Sequence, residues 1–124
     1  MDGPEVFLEH VSVSRETIEK LETYATLLLR WQSKINLIST NSLQQAWHRH
    51  FLDSAQIYLM SPKKASSVID VGTGAGFPGL VLSIMGMKNV QLVEQNKKKC
   101  AFLYEVIRET EASATVHPLS LIHI

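Results

Sequence analysis

Between Val68 and Leu80 the sequence reads VIDVGTGAGFPGL, an acid followed within nine residues by four glycines in an apolar frame. Glycine lacks a Cβ and enters left-handed backbone conformations freely, so such a turn lets a ligand approach the main chain closely. Gly74, Gly76 and Gly79 satisfy G-x-G-x-x-G, the spacing of a dinucleotide fingerprint, but that match alone carries little weight. Asp70 separates the candidates. A pyrophosphate seated in the loop would be repelled by a carboxylate two residues ahead of the first glycine, whereas a ligand carrying an ammonium group would be attracted to it.

Glu94 adds a second constraint. It closes the next apolar run, NVQLVE, twenty residues after Gly74, where an acid can accept hydrogen bonds from both hydroxyls of a ribose. A nucleoside with an ammonium tail and no phosphate fits both acids, and S-adenosylmethionine is that kind of molecule. An acid at the end of a first strand followed by G-x-G-x-G is also the pattern of methyltransferases using this cofactor. The competing reading of each acid is a solvated carboxylate at a strand end. Phe77 either packs beside the cofactor or faces the core.

The elements that must position these residues can be read from periodicity. From Ser14 the pattern is helical, with Ile18, Leu21, Ala25, Leu28 and Trp31–Gln32 on one face. Ser14 suits the N-cap and Glu16 the first turn, where the helix dipole favours an anion. The first ten residues read as a loose lead-in. KINLIST interrupts the helix, and a second helix is expected after Asn41, with Gln44 placed as in a capping box and Leu43, Trp47, Phe51 (or His50), Ser54 and Tyr58 on its apolar face. VIDV suits a strand buried on both faces, and Pro78 opens a helix through Met85. NVQLVE reads as a second strand, NKKKCAFLYEVIRET as a helix with Cys100, Leu103, Tyr104 and Ile107 inward, and SATVH as a third strand. Strand–helix–strand–helix–strand predicts an α/β fold with a parallel sheet and right-handed crossovers, in spatial order 3-2-1.

Composition sets outer bounds. The 124 residues suit one domain, and 45% hydrophobic with 19% charged residues is ordinary for a globular protein. Twelve basic and twelve acidic residues give no formal charge, which argues against a nucleic-acid binder that uses its whole surface but leaves room for a local basic patch. The one cysteine, Cys100, excludes an internal disulfide and fits a reducing compartment. No apolar run approaches the roughly 20 residues of a membrane span, and the acidic start MDGPEVFLEH lacks the order of a secretory signal. A cytoplasmic protein is expected. His48 and His50 have no cysteine or carboxylate cluster at ligand spacing, so no metal is expected.

Beyond the glycine loop, LLLRWQSKINLIS (27–39), RHFLDSA (49–55), IDVGTGAGFPGL and VEQNKKKCAFL (93–103) come in the order and spacing of the bacterial RsmG family, also called GidB. The resemblance runs from about Ser14 to about His117. It implies N-terminal helices followed by part of a class I, Rossmann-like methyltransferase sheet. It also implies methylation of N7 of guanine 527 in the 16S ribosomal RNA of the small subunit, from S-adenosylmethionine, by an enzyme that is a monomer at full length. Carried onto this chain, the family's cofactor contacts fall on Gly72 and Phe77, within an expected set of Asp70, Gly72, Gly74, Gly76, Phe77 and Glu94. Arg49, His50, Asp53 and Ser54 match the family's helical motif and are assigned to the RNA substrate; the competing reading is that His50 and Ser54, four apart on one helical face, form a hydrogen-bonded core pair. No catalytic residue is expected, because guanine N7 has an exposed lone pair and carries no proton for a general base to remove.

Lys97, Lys98 and Lys99 fall in the first turn of a helix, where cations oppose the macrodipole. That turn lies at the carboxyl ends of the strands, the edge where open α/β sheets bind ligands, and RNA phosphates would account for the placement. A solvated, lysine-rich turn is the alternative. The expected organisation is a helical region over 1–62, a partial cofactor-binding domain over 63–118, and a non-native tail over 119–124, since LSLIHI matches one translated frame of a transposon-end sequence used in sequencing libraries and the family pattern breaks near Pro118; a natural short strand is the competing reading of the tail. An incomplete copy without activity of its own is therefore expected. The rival functions are a non-catalytic fragment or module binding cofactor or RNA, and a methyltransferase acting on a small molecule.

Overall fold

The computed structural model describes residues 1–61 and 67–120. In chain order these form α1 (Pro4–Leu8), α2 (Arg15–Gln32), α3 (Thr40–Gln44), a π-helical turn (Trp47–Leu52) running into α4 (Asp53–Met60), β1 (Ser67–Val71), α5 (Gly79–Ile84), β2 (Asn89–Val93), α6 (Lys97–Thr110) and β3 (Ala114–His117). The boundary expected at 62–63 and residues 121–124 of the expected tail lie outside the described residues.

α2 begins where the sequence places it, with the Ser14 hydroxyl accepting from the Thr17 amide at 3.1 Å, and it buries Leu21, Tyr24, Ala25, Leu27 and Leu28. At its far end Gln32 holds the KINLIS turn. Its Oε1 accepts from the Leu37 and Ile38 amides, each at 3.1 Å, and its Nε2 donates to the Ile38 carbonyl at 2.6 Å.

Two expectations for the N-terminal helices need correction. The lead-in is not loose: α1 buries Phe7 completely, edge-on against Trp47 at 6.0 Å. The second helix is three pieces rather than one. Ser39, not Asn41, caps α3 by accepting from the Ser42 amide at 3.1 Å, and the backbone leaves helical geometry at Gln45 (φ −120°, ψ 34°). The chain restarts as the wider π turn, whose first amides are met from a distance: Asp2 accepts from Trp47 N at 2.9 Å and His48 N at 3.1 Å. The wide turn sends Trp47, Phe51 and Leu52 into the core together, with Trp47 and Phe51 stacked at 4.5 Å.

The sheet is parallel in order β1-β2-β3, the 3-2-1 arrangement expected. Two right-handed crossovers taken in the same direction place both connecting helices on one face. Register and burial agree. Asp70, Leu92 and Val116 align across the strands, and Leu92 and Val116 are buried with Leu80, Phe102, Leu103 and Val106. On the other face Ile69 is 68% exposed and Val71 49%. The expectation that β1 is buried on both faces is thus corrected: among the described residues it has one neighbouring strand and helices on one side only. α6 also turns differently from the expected register. It packs on α2 as well as the sheet, with Phe102 edge-on to Trp31 at 5.7 Å, so Phe102 and Val106 are buried with Cys100 and Leu103 while Tyr104 stays half exposed. Among the described residues no helix is long and apolar enough to cross a membrane.

Candidate functional site

The loop leaves β1 by folding over the tip of β2: the amides of Gly72 and Thr73 donate to the Val93 carbonyl at 2.8 and 3.2 Å. Gly72 (φ 67°) and Gly74 (φ 58°) take the left-handed turn that other residues reach only with strain. A Cβ on either would meet nothing within 4 Å. The α5 end of the loop is closed. A Cβ on Gly76 would lie 2.5 Å from Leu80 Cδ1 and 2.7 Å from the Tyr24 hydroxyl, and one on Gly79 would collide with Leu92 and come within 2.9 Å of Asp70 Oδ2.

Both expected acids reach the loop. Asp70 Oδ2 accepts from the Thr73 hydroxyl at 2.8 Å and from the Gly79 amide at 3.0 Å, so the carboxylate ties the two ends of the turn together. Burial pushes the Asp70 carboxyl above its ordinary range. The Thr73 and Gly79 bonds oppose that rise and the charge of Glu94 adds to it. Glu94, 7% exposed, accepts from Gly74 N through Oε1 at 2.8 Å and from Asn96 N through Oε2 at 2.9 Å. Its own carbonyl accepts from the Cys100 thiol at 3.2 Å, which places Cys100 as a packed, bonded core residue. Neither acid has an ionic partner among the described residues. Two neighbouring carboxylates at the strand tips therefore give the open side of the loop a negative field that no cation among the described residues pairs with.

Phe77 stands in an aromatic cluster. Its ring is stacked with Tyr24 at 5.2 Å and with His50 at 4.8 Å, and Phe51 meets it edge-on at 5.2 Å. Tyr24 is fully buried and its hydroxyl donates to the Ala75 carbonyl at 2.5 Å. Burial pushes the phenol well above its ordinary value, with the Asp70 charge adding to the effect, so it stays a donor.

The structure thus gathers Asp70, Gly72, Gly74 and Glu94 at one edge and sets Gly76 and Phe77 behind them. His50 meets the loop by stacking on Phe77. Its Nε2 is buried without a hydrogen-bond partner among the described residues, and the suggested bond to Ser54 is not formed, although Ser54 is buried. Asp53 is exposed, and so is Arg49, whose Nε donates to Gln45 Oε1 at 2.9 Å. Lys97 and Lys98 are exposed and Lys99 half-buried, in the first turn of α6, where Asn96 caps by accepting from the Lys99 amide at 3.1 Å. Among the described residues no group of three or more His, Cys, Asp or Glu could hold a metal ion. Tyr24 and Thr73 escaped the sequence reading. Tyr24 occupies an apolar-face position between Leu21 and Leu28, and a hydroxyl on such a face was the available signal.

Comparison with known proteins places the chain in a family. The model of the family GidB, described as rRNA small subunit methyltransferase G, matches residues 17–118. The ribosomal RNA small subunit methyltransferase G of Paramagnetospirillum magneticum is 50% identical over 114 residues, covering 92% of this chain and 56% of its own. That of Rhodospirillum rubrum is 48% identical over 118 residues, 95% and 59% of the two chains. That of Orientia tsutsugamushi is 50% identical over 95 residues, 77% and 48%. The chain spans about half the length of the curated relatives it matches. With the glycine loop, the RHFLDS turn behind it and the lysine-rich start of α6 all inside the matched span, the chain belongs to the GidB family, rRNA small subunit methyltransferase G.

Proposed function

We propose that this chain carries the methyl-donor side of a cytoplasmic methyltransferase that uses S-adenosylmethionine to methylate guanine N7 in 16S ribosomal RNA. The observation that carries the reading is the pair Asp70 and Glu94, two carboxylates beside the open glycines with no ion-pair partner among the described residues. Such a field favours a ligand with a positively charged amino-acid end and opposes a pyrophosphate. A carboxylate offers about four acceptor positions. Glu94 uses two on backbone amides and keeps capacity for ribose hydroxyls, and Asp70 Oδ1 makes no hydrogen bond among the described residues.

The bound cofactor would supply an activated methyl group on a sulfonium. The chain's part is binding and alignment: Gly72 and Gly74 admit the ligand to the main chain, Asp70 and Glu94 orient its two ends, and Gly76 and Phe77 back the loop. No side chain has to move a proton, because N7 carries none, and alignment in a pocket shielded from water is the main demand. Lys97, Lys98 and Lys99 stand at the same strand edge, and Arg49, His50, Asp53 and Ser54 lie on the helical side. We assign the lysines to RNA phosphates, and the residues of the helical motif to shaping the substrate side.

Calorimetric titration of the chain with S-adenosylmethionine and, separately, with NAD tests the reading. Binding of S-adenosylmethionine in preference is expected; preference for NAD would overturn it. Methyl transfer to 16S ribosomal RNA, measured with labelled donor, then separates an enzyme from a module that only binds.

A further inference from the structure

We infer that Tyr24, on α2, is a positioning residue that sets the shape of the glycine loop, and through it the affinity for the methyl donor. The second half of the inference rests on the function proposed above; the first stands on geometry alone. Three observations converge on one side chain. Its hydroxyl donates to the Ala75 carbonyl at 2.5 Å, the peptide between the open glycine Gly74 and the closed glycine Gly76. Its ring is stacked on Phe77, the next residue but one, with an interplanar angle of 12°. And the missing Cβ of Gly76 leaves the space in which that hydroxyl sits, since a methyl there would come within 2.7 Å of it.

The bond spans 51 residues of sequence and is buried. The Ala75 carbonyl is held from behind, by a donor that water does not replace, and a buried acceptor deprived of its donor is costly enough to make its peptide reorient. Reorientation of that peptide changes φ at Gly76 and ψ at Ala75, and so disturbs the amide of Gly74, which Glu94 holds from the front at 2.8 Å. Tyr24 and Glu94 therefore grip the loop from opposite ends of the same stretch. His50 and Phe51 press on Phe77 from the π-helical turn, so the RHFLDS segment acts on the loop by packing behind it. The N-terminal helices are a wall of the donor site.

Tyr24→Phe deletes the hydroxyl and keeps the ring, so it isolates the hydrogen bond from the packing. In the 124-residue chain, amide hydrogen exchange at Gly74 and Gly76 is expected to accelerate about tenfold, the size of one buried hydrogen bond, with amides of β2 and α6 unchanged. Affinity for S-adenosylmethionine is expected to fall by a similar factor. Loop exchange equal to wild type, or equal acceleration throughout the chain, would overturn the positioning role. Tyr24→Leu, which also removes the stacking, is expected to accelerate exchange across α2 as well. Should Tyr24→Phe fail to fold, the wild-type chain still decides: NMR is expected to show a slowly exchanging Tyr24 hydroxyl proton, and a rapidly exchanging one would overturn the role. Wild-type chain that binds no S-adenosylmethionine would defeat the proposed function and the affinity half of the inference, while the exchange measurement still judges the loop.

Discussion

At the β1 end of the loop, Gly72 and Gly74 face open space; at the α5 end, Gly76 and Gly79 face Leu80, Tyr24, Leu92 and Asp70. One residue type serves two demands within eight positions. The open pair is needed for backbone conformation and for what must come near the main chain. The closed pair is needed because the helical side, the sheet and the loop meet there with no room for a methyl. A motif of closely spaced glycines hides this division, and only the second pair is bound to the packing of the fold.

Substitutions should break the pattern in a fixed order. Gly76→Ala combines crowding against Leu80 and Tyr24 with a positive φ; overpacking costs about 1–3 kcal/mol and the left-handed conformation about 1–2 more. A loss of about 3 kcal/mol in chemical denaturation is expected, and a loss of only about 1–2, the conformational part alone, would mean that the helical side yields easily. Gly79→Ala meets crowding without the φ penalty, so about 1–3 kcal/mol is expected. Gly72→Ala and Gly74→Ala should each cost only about 1–2 kcal/mol, from conformation alone, while donor binding in calorimetry falls far more than stability does. Equal stability losses at all four positions would erase the contrast.

Two gentler changes probe the support behind the closed end. Asp2→Ala removes the acceptor for Trp47 N and His48 N and should lower stability by about 1 kcal/mol, as loss of a helix cap does. His50, stacked on Phe77, has its pKa lowered from 6.5 by burial, with Asp53 opposing and Arg49 adding to the shift. Below 6.5 the unfolded chain then binds more protons than the folded one, so this contribution is complete above that pH and is lost as pH falls toward the lowered value. His50→Phe keeps a ring against Phe77 and should flatten that acid limb in thermal melts; an unchanged limb would place the titration elsewhere.

Local grammar was legible in the sequence. The Ser14 cap, the inward face of α2, the three strands, their parallel order and the two acids beside the loop all follow from neighbours within a few residues. What was not legible depends on partners far along the chain. Phe7 looked like part of a lead-in because its cover, Trp47, lies forty residues on. The break between α3 and the π turn needs Asp2, which no window over residues 40–60 contains. α6 turned its Phe102 and Val106 inward because α2 presses on it as well as the sheet, so a single apolar stripe misjudged its register. Tyr24 fits an apolar stripe, and the stripe conceals the hydroxyl's partner, Ala75.

The carboxylate of Asp2 and its own amide, which donates to the Gln44 carbonyl at 2.8 Å, fasten that residue to the start of a turn more than forty positions away. For anyone engineering the molecule, this stretch is a joint rather than a free tether. Replacing Asp2, or deleting the residues around it, would loosen the turn that carries His50 and Phe51. The disturbance would be felt at the glycine loop, which lies beyond residue 70.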